Sequence, residues 1–197
     1  MKKLVFLIIT CFLFSIPNLA ICEESTGNVN FFLGVKQLDE DDWEPLEEQD
    51  ELGILLDFKQ KTWPVSLAIG YFSSSDEETV SMYVSGIGIV PFDLEGETTE
   101  LSFGVRKIWD ASPSVRPYIG MGIALISAEL KGSALGVSVS DDDTALGLWI
   151  GGGVYWTLAE HFNIGLEAKY SSAEVTLFGV DANAGGGHFG ALIGYHW

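Results

Sequence analysis

A chain of 197 residues that is 47% hydrophobic and 12% aromatic is too apolar for a disordered protein, yet it carries 28 acids against 10 Lys and Arg, for a net charge of −18. That charge excludes a nucleic-acid-binding surface, and a mean hydropathy of +0.25 is out of place in an acidic soluble protein. The two properties fit together if apolar side chains face lipid and the acids are gathered in loops.

The chain opens with Met1-Lys2-Lys3, an almost unbroken apolar run from Leu4 to Ile16, and the breaker Pro17-Asn18. This is the pattern of a cleaved secretory signal peptide, too short and wrongly flanked for a membrane span. Cleavage after Cys22 fits best, with Ala20 at the third position before the cut. Cys22 would also serve as the acceptor of a lipoprotein signal, but Ile21 is large where that signal takes a small residue. The expected division is therefore 1–22 signal peptide and 23–197 mature domain. Removal of 1–22 takes Lys2, Lys3, Cys11 and Cys22 and no acid, leaving 175 residues, a net charge of −20 and no disulfide. No later stretch is apolar for the length of a bilayer-crossing helix.

Eight segments alternate at period two, the strand signature. In the first, Phe31, Leu33 and Val35 oppose Phe32, Gly34 and Lys36. In the second, Leu52, Ile54, Leu56 and Phe58 oppose Gly53, Leu55, Asp57 and Lys59. The remaining six begin near Val65, Leu101, Tyr118, Leu146, Ile164 and His188, and none reads as a helix. Short connections (Gln60–Trp63, Asp110–Val115, Thr157–Phe162) alternate with longer ones (Asp39–Asp50, Ser73–Glu97, Lys131–Asp143, Phe178–Ala184). An even strand count with short turns at one end and longer loops at the other predicts an all-β, eight-stranded, antiparallel up-and-down transmembrane barrel. The alternation from Thr79 to Val90 reads as sheet extending above the membrane within the second long loop. Trp63, Trp109, Tyr118 and Trp156 lie beside the short turns and predict a periplasmic aromatic girdle. The chain ends in mid-strand on Phe189…Tyr195-His196-Trp197, as expected if the last strand pairs with the first.

The signal peptide, the Arg116-Pro117-Tyr118-Ile119-Gly120-Met121-Gly122 strand entry, Gly151-Gly152-Gly153-Val154-Tyr155-Trp156 and the terminal Phe189…Tyr195-His196-Trp197 together resemble the small eight-stranded outer-membrane barrels, the OmpA/OmpX/OmpW-like family. The resemblance spans the mature chain. It implies the outer membrane of a Gram-negative bacterium, contact with outer-membrane lipid and lipopolysaccharide, and a monomer. It also implies that Phe189, Tyr195 and Trp197 form the signal read by the barrel-assembly machinery. It is specific for architecture and not for activity.

The interior distinguishes a plug from a passage. Inward parity collects many glycines beside Phe32, Phe72, Tyr118, Trp149 and Tyr155, and a barrel of eight strands is only wide enough for side chains to fill. It also brings in Lys36, Asp57, Lys59, Arg106, Glu167 and Lys169, which must pair if they are dry. The expected result is a luminal ion-pair cluster centred on Arg106 between Asp57 and Glu167; the alternative is a narrow passage for small or hydrophobic molecules.

Nine acids between Asp39 and Glu51, with Asp76-Glu77-Glu78 and Asp141-Asp142-Asp143, predict a solvated crown on the outer loops. No EF-hand spacing is present, and no metal or cofactor is expected. Among His161, His188 and His196 none has a Ser two residues away, as lipid A deacylase barrels have; Asp181 and His188 only faintly echo palmitoyl-transferring barrels. No catalytic residue is assigned. The expected role is structural or surface-interacting, with a lipid-modifying enzyme as the minor alternative.

Overall fold

The computed structural model describes residues 25–197 apart from 87, 113 and 160; the signal peptide expected over 1–22 lies outside the described residues. The elements are β1 (Ser25–Gln37), α1 (Glu40–Trp43), β2 (Glu48–Gln60), β3 (Ser66–Val84), β4 (Gly88–Ile108), β5 (Val115–Ala134), β6 (Val137–Leu158), β7 (Phe162–Ser172), β8 (Glu174–Leu177), β9 (Val180–Asn183) and β10 (Gly186–His196). Eight strands close into one antiparallel ring in the order β1-β10-β7-β6-β5-β4-β3-β2, and β8 with β9 forms a separate hairpin.

Closure is made by β1 and β10, paired from Asn28↔His196 to Gln37↔Gly187. Trp197 extends the pairing: its N–H donates to Gly27 O at 3.1 Å and its carbonyl accepts from Gly27 N at 3.2 Å. The terminal strand therefore has no open edge, which a span through hydrocarbon requires.

The alternation read from the sequence sorts the side chains as expected. Phe31, Leu33, Ile54, Leu67, Phe103, Ile123, Leu148, Leu166 and Ile193 face outward, while Phe32, Leu55, Phe72, Trp149, Tyr155 and Leu192 are buried inside. Inward glycines make room for the aromatic rings. A Cβ on Gly190 would stand 2.5 Å from Phe32 Cζ, and one on Gly104 2.8 Å from Trp149 Cζ2. These distances are below any real contact, so the small residues and the rings are one packing solution.

β1 begins earlier than the alternation suggested, because its polar start, Asn28 and Asn30, is buried as well. Asn163 Nδ2 donates to Asn28 Oδ1 at 2.8 Å and accepts through Oδ1 from Thr157 Oγ1 at 2.9 Å, forming a polar floor. Two of the long loops are strand almost throughout. β3 and β4 pair as far as Val84↔Gly88, and β5 and β6 as far as Ala134↔Val137. The strand expected from Thr79 to Val90 is the top of the first hairpin, and parity holds. The second hairpin turns through Leu135 and Gly136, both at positive φ (51° and 80°), the two-residue turn whose twist suits a hairpin.

A ring of this kind resists detergent until heated. The chain refolded in detergent is expected to migrate differently on gels before and after boiling, and equal mobility in both would be incompatible with a closed sheet.

Candidate functional site: the charged lumen and the loops above it

The charged residues that parity placed inside do meet, in two groups rather than one. In the lower group, Arg106 on β4 donates through Nη1 to Asp57 Oδ2 on β2 and through Nη2 to Glu167 Oε2 on β7, each at 3.2 Å. Tyr155 OH accepts from Arg106 Nη1 at 2.6 Å and donates to Asp57 Oδ2 at 2.9 Å, and Tyr118 OH donates to Glu167 Oε2 at 2.6 Å. The two phenol rings stack at 4.4 Å, and the guanidinium lies 4.4 Å from the Tyr118 centroid. One cation thus serves two carboxylates, and each carboxylate also receives a phenol proton donor, which a buried charge requires.

Tyr118 is therefore not part of the girdle. Its neighbours Ile119 and Pro117 do not share its side of the strand, and its ring is buried beside Tyr155. Parity, which turns it inward, outweighs nearness to the turn. Trp63 and Trp109 are exposed at the turn end and Trp156 is half-buried. Phe189 and Tyr195 face outward on β10.

The upper group joins Lys169 of β7 to Glu100 of β4 and His188 of β10 to Glu51 of β2, with His188 Nδ1 at 2.8 Å from Glu51 Oε1. Lys36 Nζ donates to Thr98 Oγ1 at 2.7 Å and to the Ala184 carbonyl at 2.8 Å. Lys169 also rests 3.8 Å above the Phe72 ring. Lys36 and Lys169 thus belong to a level of their own, away from Arg106. Glu51, which the sequence places among the crown acids, is buried here, and so is Glu100, which carries no sequence signal of its own. Both lie one residue beyond the apolar alternation of their strands, and extending the same parity by one step brings each inside. Lys59 joins neither group; it lies half-buried at the periplasmic mouth.

Ser171 Oγ, 2.9 Å from His188 Nε2, completes the order of nucleophile, base and acid with Glu51. Ser171 and His188 are both sealed inside, at 0% and 1% exposure. The three side chains form a buried polar network, His188 lying between the Ser171 hydroxyl and the Glu51 carboxylate.

The cover is built from α1 and the β8–β9 hairpin. Trp43, Val175, Leu177 and Ala184 bury one apolar cluster with Leu38 and Ile126. Trp43 Nε1 donates to the Asn183 carbonyl at 2.9 Å, and Asp42 Oδ2 accepts from Asn183 N at 2.9 Å. From the other side, Asp141 Oδ2 accepts from Phe178 N at 2.6 Å and Asp143 Oδ2 from Thr176 N at 2.8 Å. Part of the acidic crown is thus a set of clamps on the lid rather than only solvated charge.

Arg106→Ala leaves two buried carboxylates facing each other and is expected to cost about 3–5 kcal/mol, read from urea unfolding in lipid vesicles. The Asp143 carboxyl, which accepts the Thr176 and Thr144 amides, is held below the usual 3.8. Its contribution is present above the ordinary carboxylate range and is lost as the pH falls through the lowered value. Protection of the Thr176 amide should therefore persist at neutral pH and fall in strong acid. Asp143→Ala should abolish it at all pH values.

No curated protein sequence is significantly similar to the chain. Solved structures are similar in fold. The attachment invasion locus protein Ail of Yersinia pestis, in complex with the heparin analogue sucrose octasulfate, superposes with a TM-score of 0.60 at 15% identity over 88% of this chain and 99% of that one. A major outer membrane protein of Thermus thermophilus gives 0.55 at 10% identity over 89% and 98%. OprG of Pseudomonas aeruginosa gives 0.50 at 11% identity over 88% and 96%. A family model described as the outer membrane protein beta-barrel domain matches residues 8–197; the chain belongs to that family, and it is an outer-membrane barrel protein.

Proposed function

We propose that this barrel is a closed scaffold that holds an acidic, loop-borne surface outside the cell, with a structural or surface-interacting role rather than transport. The observation that carries the reading is the interior. Two charge layers, the rings of Phe32, Phe72 and Trp149 between them, a polar floor and a clamped lid follow one another along the axis. A passage would need a continuous wet path, and the contacts of Arg106 and Lys169 with carboxylates from other strands support a filled lumen instead. The hairpins support the second half of the reading: β3–β4 and β5–β6 run on well beyond the apolar belt, with Tyr83, Ile89 and Leu135 exposed near their tips. Ail, a barrel of the same fold, is named for attachment and is seen with a sulfated ligand. The acids here argue against a polyanionic partner of that kind unless divalent cations bridge the two, as they would also have to do toward lipopolysaccharide.

Planar-bilayer recording on the refolded chain is expected to show no stable conductance, and Arg106→Ala alone should leave it closed, because the polar floor, the upper charge layer and the lid remain. A large conductance in the unmutated chain that Arg106→Ala leaves unchanged would replace the scaffold with a passage. Replacing 78–93 with a two-residue turn should keep the heat-dependent gel shift, because those residues lie above the ring; its loss would make the hairpin part of the fold rather than a displayed surface.

A further inference from the structure

Below the polar floor the periplasmic mouth holds a cavity of about 170 Å³, lined by Lys59, Arg116 and His196 together with Asn28, Ser66 and Asp110. We propose that this vestibule binds a phosphate group, with Lys59 and Arg116 as its cationic contacts.

Three observations carry the proposal. Lys59 has inward parity on β2 and is half-buried, yet no ion pair or hydrogen bond to it is found among the described residues, whereas Lys36, Arg106 and Lys169, further up the lumen, each have partners. Arg116, the second residue of β5, has a buried Nε with no hydrogen-bond partner among the described residues. Asp110 Oδ1 stands 3.5 Å away on a side chain that is 86% exposed. A partly desolvated ammonium and a guanidinium at one polar cavity favour an anion, and the pairing of an Arg fork with a Lys point charge suits phosphate oxygens.

The surroundings agree. The chain's acids are concentrated at the opposite end, while Lys61 and Lys107 lie at this same rim, Lys107 donating to the Pro64 carbonyl at 2.9 Å. His196 is fixed by contacts of Nδ1 with the Gly27 carbonyl at 2.9 Å and Asn28 Oδ1 at 3.1 Å, so the wall is preformed. The vestibule is a dead end. The Asn28–Asn163–Thr157 floor closes it, and Arg106 lies beyond. An anion that enters is held and not passed on. The phosphate could be a free monoester from the periplasm or the headgroup of a phospholipid in the inner leaflet; the chemistry at the site is the same.

Calorimetry of the refolded chain in octyl glucoside, a detergent without phosphate, with inorganic phosphate as the probe tests the site. Binding is expected, weakened about tenfold by Lys59→Gln and by Arg116→Gln, retained by Lys59→Arg and unchanged by Lys61→Gln. The heat-dependent gel shift certifies that each variant is folded. No binding, binding indifferent to both substitutions, or acetate binding as tightly as phosphate would overturn the proposal. Repeating the titration in octyl glucoside with added short-chain phosphatidylglycerol, at the high salt that screens the micelle surface, separates the two sources. Phosphate binding that weakens in proportion to the added lipid assigns the lipid headgroup, and binding indifferent to it assigns a free phosphate.

Discussion

The structure depends on one requirement: a backbone that crosses hydrocarbon must satisfy every N–H and C=O within the protein. For strands this forces a closed ring, and here the ring closes between β1 and β10, with Trp197 still paired to Gly27. Closure at eight strands then fixes the interior. The space is too narrow for water in bulk and too wide for backbone alone, so it must be filled from the walls. The glycines opposite Phe32, Phe72 and Trp149 answer that need. The charges answer a second one: a lumen this narrow cannot leave an ion without polar partners. Arg106 and Lys169 each face a carboxylate from another strand, and Lys36 donates to Thr98 Oγ1 and the Ala184 carbonyl.

Period two is why so much of this was legible. In a barrel, the side of the strand alone decides whether a residue meets lipid or lumen, and no tertiary detail is needed to assign it. The Arg106–Asp57–Glu167 contact followed from parity plus equal distance from the turns. What escaped lay where alternation loses its apolar signal. Asn28 and Asn30 look like turn residues until their neighbour across the floor, Asn163, is known. Glu51 and Glu100 sit at the rim, where polar side chains occur on both faces and the pattern offers no contrast. Tyr118 satisfied two rules at once, position near a turn and inward parity, and packing against Tyr155 decided for parity.

The lid was harder to see for a different reason. The stretch 174–183 is polar on one side and apolar on the other, like any short hairpin, and nothing local says that Val175 and Leu177 turn inward over the lumen. That outcome depends on Trp43, far away in sequence, and on the carboxylates of Asp42, Asp141 and Asp143 reaching main-chain N–H groups of the hairpin. Charge runs in a loop read as solvation because sequence shows the charge and not the donor that it finds.

The same acids solve a problem that closure leaves open. Above the ring the hairpins carry free edges, the longest on β3 and β6. β3 loses its β2 partner beyond Asp50↔Ser75, and β6 has no β7 partner before Leu148↔Ser172. Unpaired edges invite another chain, most of all beside exposed Tyr83, Ile89 and Val137. Asp76, Glu77 and Glu78 occupy the first free edge just where pairing stops, and Asp141, Asp142 and Asp143 occupy the second. Two copies meeting edge to edge would bring like charges together. On the second edge, Asp141 and Asp143 are bonded to the lid hairpin, so the lid also shields part of that edge. Removing these carboxylates would therefore uncover an adhesive edge and loosen the lid in one step, which ties the acidity of the outer loops to the placement of the hairpin that covers the mouth.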